Sequence, residues 1–262
     1  MRNLYAIYRK EIAHYFVSPI AYIVIAIFLV VAGFFFNVYL SAVIRESFEQ
    51  SMQAMQFGGA QNFDVPGVVM RAYLGLLGTL LLFLLPGLSM GVYSEERKRG
   101  TIELLMTSPI TDTQIVLGKY LASLTLFALM IVPTAGYQIF MLSRSEPSPP
   151  WKILLAGYIG LFLLGASLLA LGSFLSSLTE NQLIAFVLTF SIFLMLWVID
   201  FGGNGTGSAS GSFLQYLSVV RHYDDFTRGV LDTSSLIYYC SWIFFGMFLT
   251  VRSLDSLRWR RA

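Results

Sequence analysis

A dense cluster of charged residues, which could form ion pairs with a partner, lies between two long apolar runs. Five consecutive charges extend from Glu95 to Arg99, and a short segment with apolar residues at helical spacing continues to Ile110. A charged side chain at the centre of a bilayer costs about 2.5 to 3.5 kcal/mol, so this segment must lie outside the hydrocarbon. The carboxylates and guanidinium groups of this short segment can form ion pairs with a soluble protein. Its apolar stripe can bury surface against the same partner. The pattern indicates docking of a partner.

The chain does not supply the groups that ATP hydrolysis or metal chemistry requires. A P-loop needs Gly, four residues, then Gly-Lys and Ser or Thr, whereas the Gly-Lys pair at 118–119 has Thr113 at the first position and Tyr120 at the last. The two histidines, His14 and His222, fall on opposite sides of the membrane in the topology below, and one cysteine cannot form a cluster. We therefore expect no catalytic residue, no metal site and no cofactor bound by this chain.

Composition places the protein in a membrane. Hydrophobic residues make up 56% and charged residues 12% of the chain, whereas a soluble domain carries about 25% charged residues. A membrane-spanning helix needs roughly 20 apolar residues, with tolerance to about 17, and the last run is expected to borrow residues from its flanks. We predict an all-α integral membrane protein, a single domain over 1–262, with six spans at 20–40, 72–92, 120–142, 153–175, 183–199 and 236–251.

The distribution of basic residues predicts the orientation of these spans. With both termini inside, 11 of the 17 Lys and Arg residues lie in inner segments, including all three basic clusters. The outer segments are then roughly 41–71, 143–152 and 200–235. The formal net charge of +2 is too small to suggest nucleic-acid binding.

Residues 1–18 are typical of an amphipathic helix on the inner membrane surface. Apolar and aromatic residues share one broad face and most of the basic residues share the other. Glu11 is the exception, because it falls within the apolar arc. Either its carboxylate reaches out to solvent, or it meets a basic group on a partner or in the cluster at 95–99. Ser18-Pro19 ends the helix.

A second short helix is expected after the charge cluster. Gly100 permits a break, Thr101 can cap the helix, and Glu103 lies in its positively polarised first turn. Pro109 ends it. Its apolar stripe is formed by Ile102, Leu105 and Met106.

The outer segment 200–235 has a different character. From Phe213 to Val230, apolar and aromatic residues alternate with charged ones, which indicates a re-entrant or surface-lying helical pair that shapes an outer gate. A purely structural network joining Arg221 or Arg228 to Asp224 or Asp225 is the alternative. The candidate gate residues are Arg221, His222, Tyr223, Asp225 and Arg228.

Several of these segments resemble a known family. Glu96-Arg97-Lys98-Arg99-Gly100-Thr101-Ile102-Glu103-Leu104-Leu105, then Ser108-Pro109-Ile110 and Gly118-Lys119, are similar to the signature of ABC type-2 transporter permeases. Arg9-Lys10-Glu11-Ile12 and the segment from Arg221 to Asp232 resemble the branch that contains the gliding-motility-associated permease. The tract from Gly202 to Ser212 looks like an insertion.

The resemblance implies one half of an ATP-driven exporter in the bacterial inner membrane. Such a permease pairs with a second one, identical or homologous, and engages a cytoplasmic ATPase dimer that binds the ATP and Mg²⁺. The segment after the second span, here 95–112, would carry the cytoplasmic coupling helix, and the N-terminal helix would contribute to the same contact. Membrane lipid and an auxiliary periplasmic component are further expected partners. The residues carried over to ATPase docking are Glu11, Glu95, Glu96, Arg97, Gly100, Thr101, Glu103, Leu104, Leu105 and Pro109.

Two other functions compete with export. In the first alternative, the chain anchors an ATP-driven envelope machine in the membrane and transports nothing. The same sequence features are compatible with that role. The other is a secondary transporter, which normally places ionisable groups at mid-membrane. The six apolar runs contain no Asp, Glu, Lys, Arg or His, so the second alternative is less favoured.

Overall fold

The computed structural model of the chain describes residues 2–57, 64–107, 110–144, 150–203 and 216–259. These residues form helices joined by short connections, and no β-strand occurs among them. The helices are α1 (Arg2–Val17), α2 (Pro19–Phe57), α3 (Val65–Ser89), α4 (Gly91–Lys98), α5 (Thr101–Thr107), α6 (Asp112–Leu142), α7 (Trp151–Leu178), α8 (Gln182–Gly203), α9 (Val219–Thr227) and α10 (Thr233–Trp259).

Six segments of the described chain are long and apolar enough to cross a membrane, which confirms the all-α, six-span prediction. They lie in α2, in α3 with α4, and in α6, α7, α8 and α10. The helices extend beyond the predicted spans because helical hydrogen bonding continues through polar residues outside the hydrocarbon. The start of α3 shows this, because Asp64 Oδ1 accepts a hydrogen bond from Gly67 N at 3.1 Å and Pro66 occupies the first turn.

The bundle has two polar ends. The end that carries α1, α4, α5 and the C-terminal turns of α10 is called the terminal face. Contacts between distant parts of the sequence define it, such as Lys10 with Glu96 and Ser177 with Ser253. The opposite end, where α9 lies, is called the far face. The predicted pair of outer helices can be compared with α9 alone, because residues 204–215 lie outside the described part of the chain.

Helix α7 forms the centre of the bundle and is the most buried of the membrane-length helices. Small residues let its neighbours approach. A Cβ atom at Gly165 would lie 2.0 Å from Phe127 Cζ, and one at Gly246 would lie 2.7 Å from the carbonyl carbon of Ala170. Helices α2 and α8, by contrast, leave most of their apolar surface uncovered by the rest of the chain. These are the surfaces that hydrocarbon or another membrane helix must cover.

Candidate functional site

The centre of the terminal face is the ammonium group of Lys119, whose side chain is only 2% exposed. Its Nζ donates to Glu11 Oε1 at 3.1 Å and to the Val92 carbonyl oxygen at 3.0 Å. Nζ also lies 3.0 Å from Glu96 Oε1. An ammonium group has three donors, so one acceptor from α1 and two from α4 satisfy it completely.

Lys10 completes this ion network. Its Nζ lies 3.1 Å from Glu96 Oε1 and 3.3 Å from Glu11 Oε1, while most of the side chain faces solvent. Partial burial alone would lower the pKa of Lys10, but the charges of Glu11 and Glu96 outweigh it and raise that pKa. Two lysines and two glutamates make the network neutral, which offsets the desolvation cost of burying each charge.

Helix α1 can lie close to Lys119 because α6 has no side chain in the way at Gly118. A Cβ atom at Gly118 would lie 2.8 Å from Ile7 Cγ2, so only glycine admits α1 this closely. A hydroxyl pair, Tyr15 with Ser123 at 3.1 Å, then holds the last turn of α1 against α6. Burial raises the pKa of Tyr15 to about 12, so this hydroxyl keeps its proton at neutral pH.

Helix α4 is held by a serine of α7. The hydroxyl of Ser176 accepts from the backbone N–H groups of Tyr93 and Ser94, at 3.1 and 3.2 Å, and donates to the Met90 carbonyl oxygen at 2.7 Å. The first turn of a helix leaves N–H groups without intrahelical acceptors. Ser176 supplies that acceptor, which allows the chain to break near Met90 inside packed surroundings.

The charged residues of α4 also contact the connection between α7 and α8. Arg97 donates to the Ser177 carbonyl oxygen at 2.5 Å and lies 3.6 Å from Glu180. Glu95 accepts from Gln182 Nε2 at 3.2 Å and pairs with Arg99 at 2.5 Å. The charge cluster is therefore fixed to the fourth and fifth spans.

Helix α5 follows a sharp turn at Gly100, whose φ of 70° favours glycine, as the sequence predicts. The expected apolar stripe is used in part within the chain, because Ile102 is buried in a cluster that includes Ile7 and Leu254. Thr101 and Glu103 face outward.

The structure sorts the predicted docking residues that it describes into two groups. Glu11, Glu95, Glu96 and Arg97 are drawn into contacts within the chain. Glu11 does not reach solvent, because its carboxylate is buried against Lys119, and that basic group lies outside the cluster at 95–99. A contact of Glu11 with a partner stays a prediction. Gly100, Thr101 and Glu103 remain exposed. The side chains of Leu104 and Leu105, together with Pro109, lie outside the described part of the chain.

Sequence reasoning missed Lys119 as a structural centre. A signal was present, because Glu11 is an acidic residue within an apolar arc and Lys119 is a basic residue directly before an apolar run. Glu11 is a charge where the pattern calls for an apolar residue, Lys119 is a charge at the edge of a predicted span, and the two have opposite signs. Such a coincidence indicates that the residues meet.

On the far face, α9 is fastened by aromatic side chains. Tyr223 lies over Gly78, where a Cβ atom would come within 2.7 Å of its ring, and its hydroxyl donates to the Leu74 carbonyl oxygen at 2.8 Å. The ring of His222 stacks on Tyr238 with centroids 4.0 Å apart, and its Nδ1 lies 3.0 Å from Ser235 Oγ. These two candidate gate residues are anchors of α9.

The charged candidate residues of α9 lie nearer its surface. Arg228 pairs with Asp224 at 2.5 Å across one helical turn, which matches one of the structural pairs foreseen from the sequence. Asp225 accepts a hydrogen bond from Ser235 Oγ at 3.3 Å. Arg221 is exposed. Among the described residues, no group of three or more His, Cys, Asp or Glu side chains is arranged to hold a metal ion.

Comparison with known proteins identifies relatives of the chain. The family described as ABC-2 family transporter protein matches residues 5–251. Proteins named "Probable multidrug ABC transporter permease YbhR", from Escherichia coli K12 and O157:H7, are each 26% identical to it over 174 residues. Those residues cover 64% of this chain but 45% of each relative, so the chain aligns with less than half of the relatives' length. Neither match distinguishes the gliding-motility branch, and that resemblance stays a prediction.

Replacing the central lysine tests the ion network. Lys119→Met leaves the carboxylates of Glu11 and Glu96 buried without their main cation, which typically costs about 3 to 5 kcal/mol. We expect a lower unfolding temperature in detergent and faster proteolysis of α1. Lys98→Met, which removes an exposed lysine at the end of α4 on the same terminal face, should change neither. Equal stability of the two variants would show that the network does not hold the terminal face together.

Proposed function

Since the chain belongs to the ABC-2 transporter family and is a membrane permease subunit of an ABC transporter, we propose that it works in an ATP-driven exporter of the bacterial inner membrane. A second permease, identical or homologous, completes the translocation path. A separate cytoplasmic ATPase dimer binds the ATP and Mg²⁺ and supplies the energy. The family match and the distribution of basic residues support this proposal.

The observation that carries the proposal is the way in which α5 is mounted. Its outer side presents Thr101 and Glu103, while Ile102 is buried in a cluster with residues of α1, α6 and α10. The ion network joins α4, which precedes α5, to α1 and α6. A push on α5 would therefore act on the third and sixth spans through packed side chains and paired charges. This is what a coupling helix requires.

The charge network suits this task for a physical reason. Buried ion pairs are poor sources of net stability, but they penalise any arrangement in which a charge loses its partner. Helices α1, α4 and α6 are consequently expected to move together when the ATPase acts, and not to slide past one another. The N-terminal helix then contributes to coupling as a brace behind the docking surface.

The docking proposal is tested by reversing one exposed charge. Glu103→Lys places a like charge where the ATPase is expected to present a basic group, and like-charge contacts at an interface cost several kcal/mol. We expect at least about a tenfold loss of ATPase co-purified from detergent extracts, since 1.4 kcal/mol corresponds to a factor of ten. Glu49→Lys, at an exposed position on α2 near the far face, is the control. Undiminished co-purification with Glu103→Lys would exclude this surface.

The orientation is tested by labelling from each side of the membrane. In a Cys240→Ala background, Lys98→Cys on the terminal face should react with a membrane-impermeant maleimide only from the cytoplasm. Arg228→Cys on the far face should react only from the periplasm. Both side chains are exposed in the structure, so reactivity reports sidedness. The reversed pattern would invert the topology, and labelling of both from one side would contradict six spans.

We further propose that α9 forms part of an outer gate. Its anchors hold it over the ends of α3, α7 and α10, where a change in the spacing of the spans would move it. Labelling of Arg228→Cys in the assembled complex should change at least about threefold in rate when ATP and vanadate are added. Arg45→Cys, exposed on α2 near the same face, should not change. Identical rates for Arg228→Cys in both states would mean that α9 is a fixed cover.

A further inference from the structure

A cavity of about 540 Å³ opens at the far face between α3, α7, α8 and α9. Its size falls within the range of about 300 to 1,000 Å³ that is typical of ligand sites. Helix α9 closes the cavity from above, and Arg71 and Gly75 lie at its exposed side. Its walls include Arg71, Gly75, Leu82, Leu164, Trp197 and Arg228.

The long dimension of the cavity follows α3. Arg71, Gly75, Gly78 and Leu82 are spaced three or four residues apart, so they form one stripe along that helix. Eleven residues of helix rise about 16 Å. That distance is close to half of the roughly 30 Å hydrocarbon thickness of a bilayer. The cavity therefore extends from the membrane surface to about the depth of one leaflet.

The outer end of the cavity is cationic. Arg71 is exposed and makes no side-chain hydrogen bond or ion pair within the described part of the chain. Arg228 contributes a second guanidinium group, which Asp224 already neutralises. The end near the membrane surface thus carries one positive charge in excess. Arginine is well suited to bind a phosphate group through two parallel hydrogen bonds.

The inner end of the cavity is apolar. Leu82 and Leu164 form its walls there, while Trp197 lines the cavity nearer the far face. The neighbouring hydroxyl groups are already used, since Thr79 donates to the Gly75 carbonyl oxygen at 3.1 Å and Tyr223 to that of Leu74. A ligand in this part of the cavity would meet hydrocarbon and aromatic surface with no polar group left to satisfy.

We propose that this cavity binds an anionic phospholipid, with one acyl chain along the α3 stripe and the phosphate on Arg71. A cationic end at the membrane surface, an apolar end one leaflet deep and an open side match the shape and charge of that class of molecule. The site would be a property of this chain alone. It goes beyond the proposed transport function and does not depend on an ATPase.

Lipid binding in the cavity can be tested by a substitution whose side chain fills the space. A Cβ atom at Gly75 meets nothing within 4 Å, so Gly75→Leu would place its side chain in the cavity without a backbone clash. Delipidated protein in detergent is titrated with dioleoyl phosphatidylglycerol, and bound lipid is counted by native mass spectrometry. One saturable lipid per chain is expected for the native sequence and a loss of about tenfold in affinity for Gly75→Leu. Gly33→Leu on α2, where the space is also open, should bind normally.

The charge of the head group is tested separately. Dioleoyl phosphatidylcholine has the same tails and the same phosphate, but its choline cation cancels the net charge and would be repelled by the cationic end of the cavity, so it should bind about tenfold more weakly. Arg71→Gln should remove this preference, whereas Arg45→Gln, at another exposed arginine near the far face, should retain it. Binding that does not saturate, or that Gly75→Leu leaves intact, overturns the site. Equal binding of the two lipids to the native chain overturns its anionic selectivity.

Discussion

The arrangement of the terminal face depends on the requirement that a buried ammonium group be fully paired. Removing an ion from water costs several kcal/mol even after the protein relaxes around it. Lys119 is almost completely buried, and it recovers this cost from two carboxylates and a backbone carbonyl oxygen. These acceptors come from α1 and α4, so neither element can leave without exposing an unpaired charge. The pairing of Lys119 with Glu96 therefore also fixes the position of the charge cluster at 95–99.

The far face is organised by a similar requirement, because its buried polar groups also need partners. There the groups are neutral hydroxyls. Tyrosine hydroxyls of α9 and α10 donate to backbone carbonyl oxygens of α3 and of the approach to α9. Glycines beneath Tyr223 and Phe226 let the aromatic rings lie close to the helices below. Both ends of the bundle therefore fix a short helix to the spans through buried side chains that form ion pairs or hydrogen bonds between elements. In the proposed exporter, the two short helices would lie where the ATPase docks and where the substrate leaves.

The chain combines a tightly packed interior with uncovered apolar surfaces. Helix α7 is surrounded by neighbours, whereas α2 and α8 expose rows of large apolar residues. In a membrane subunit, lipid or a second permease covers such rows, and both fit the proposed assembly. The amphipathic cavity beside α8 adds a place where a lipid would become part of the folded unit. Rigid coupling at one end and adaptable lipid contact along the sides are compatible, because they involve different helices.

The sequence alone determined the membrane class, the six spans, the break at Gly100 and the helical continuation of the sixth span. These features follow from local properties, namely the length of apolar runs, the exclusion of charges from hydrocarbon and the conformational freedom of glycine. The tertiary structure alone decided that Glu11 faces inward, that Ile102 packs within the chain, and that Arg97 is held by α7. Each depends on a partner more than 70 residues away in the sequence, such as Lys119 for Glu11 and Ser177 for Arg97. Helical periodicity assigns a residue to a face of its own helix, but only packing decides what that face meets.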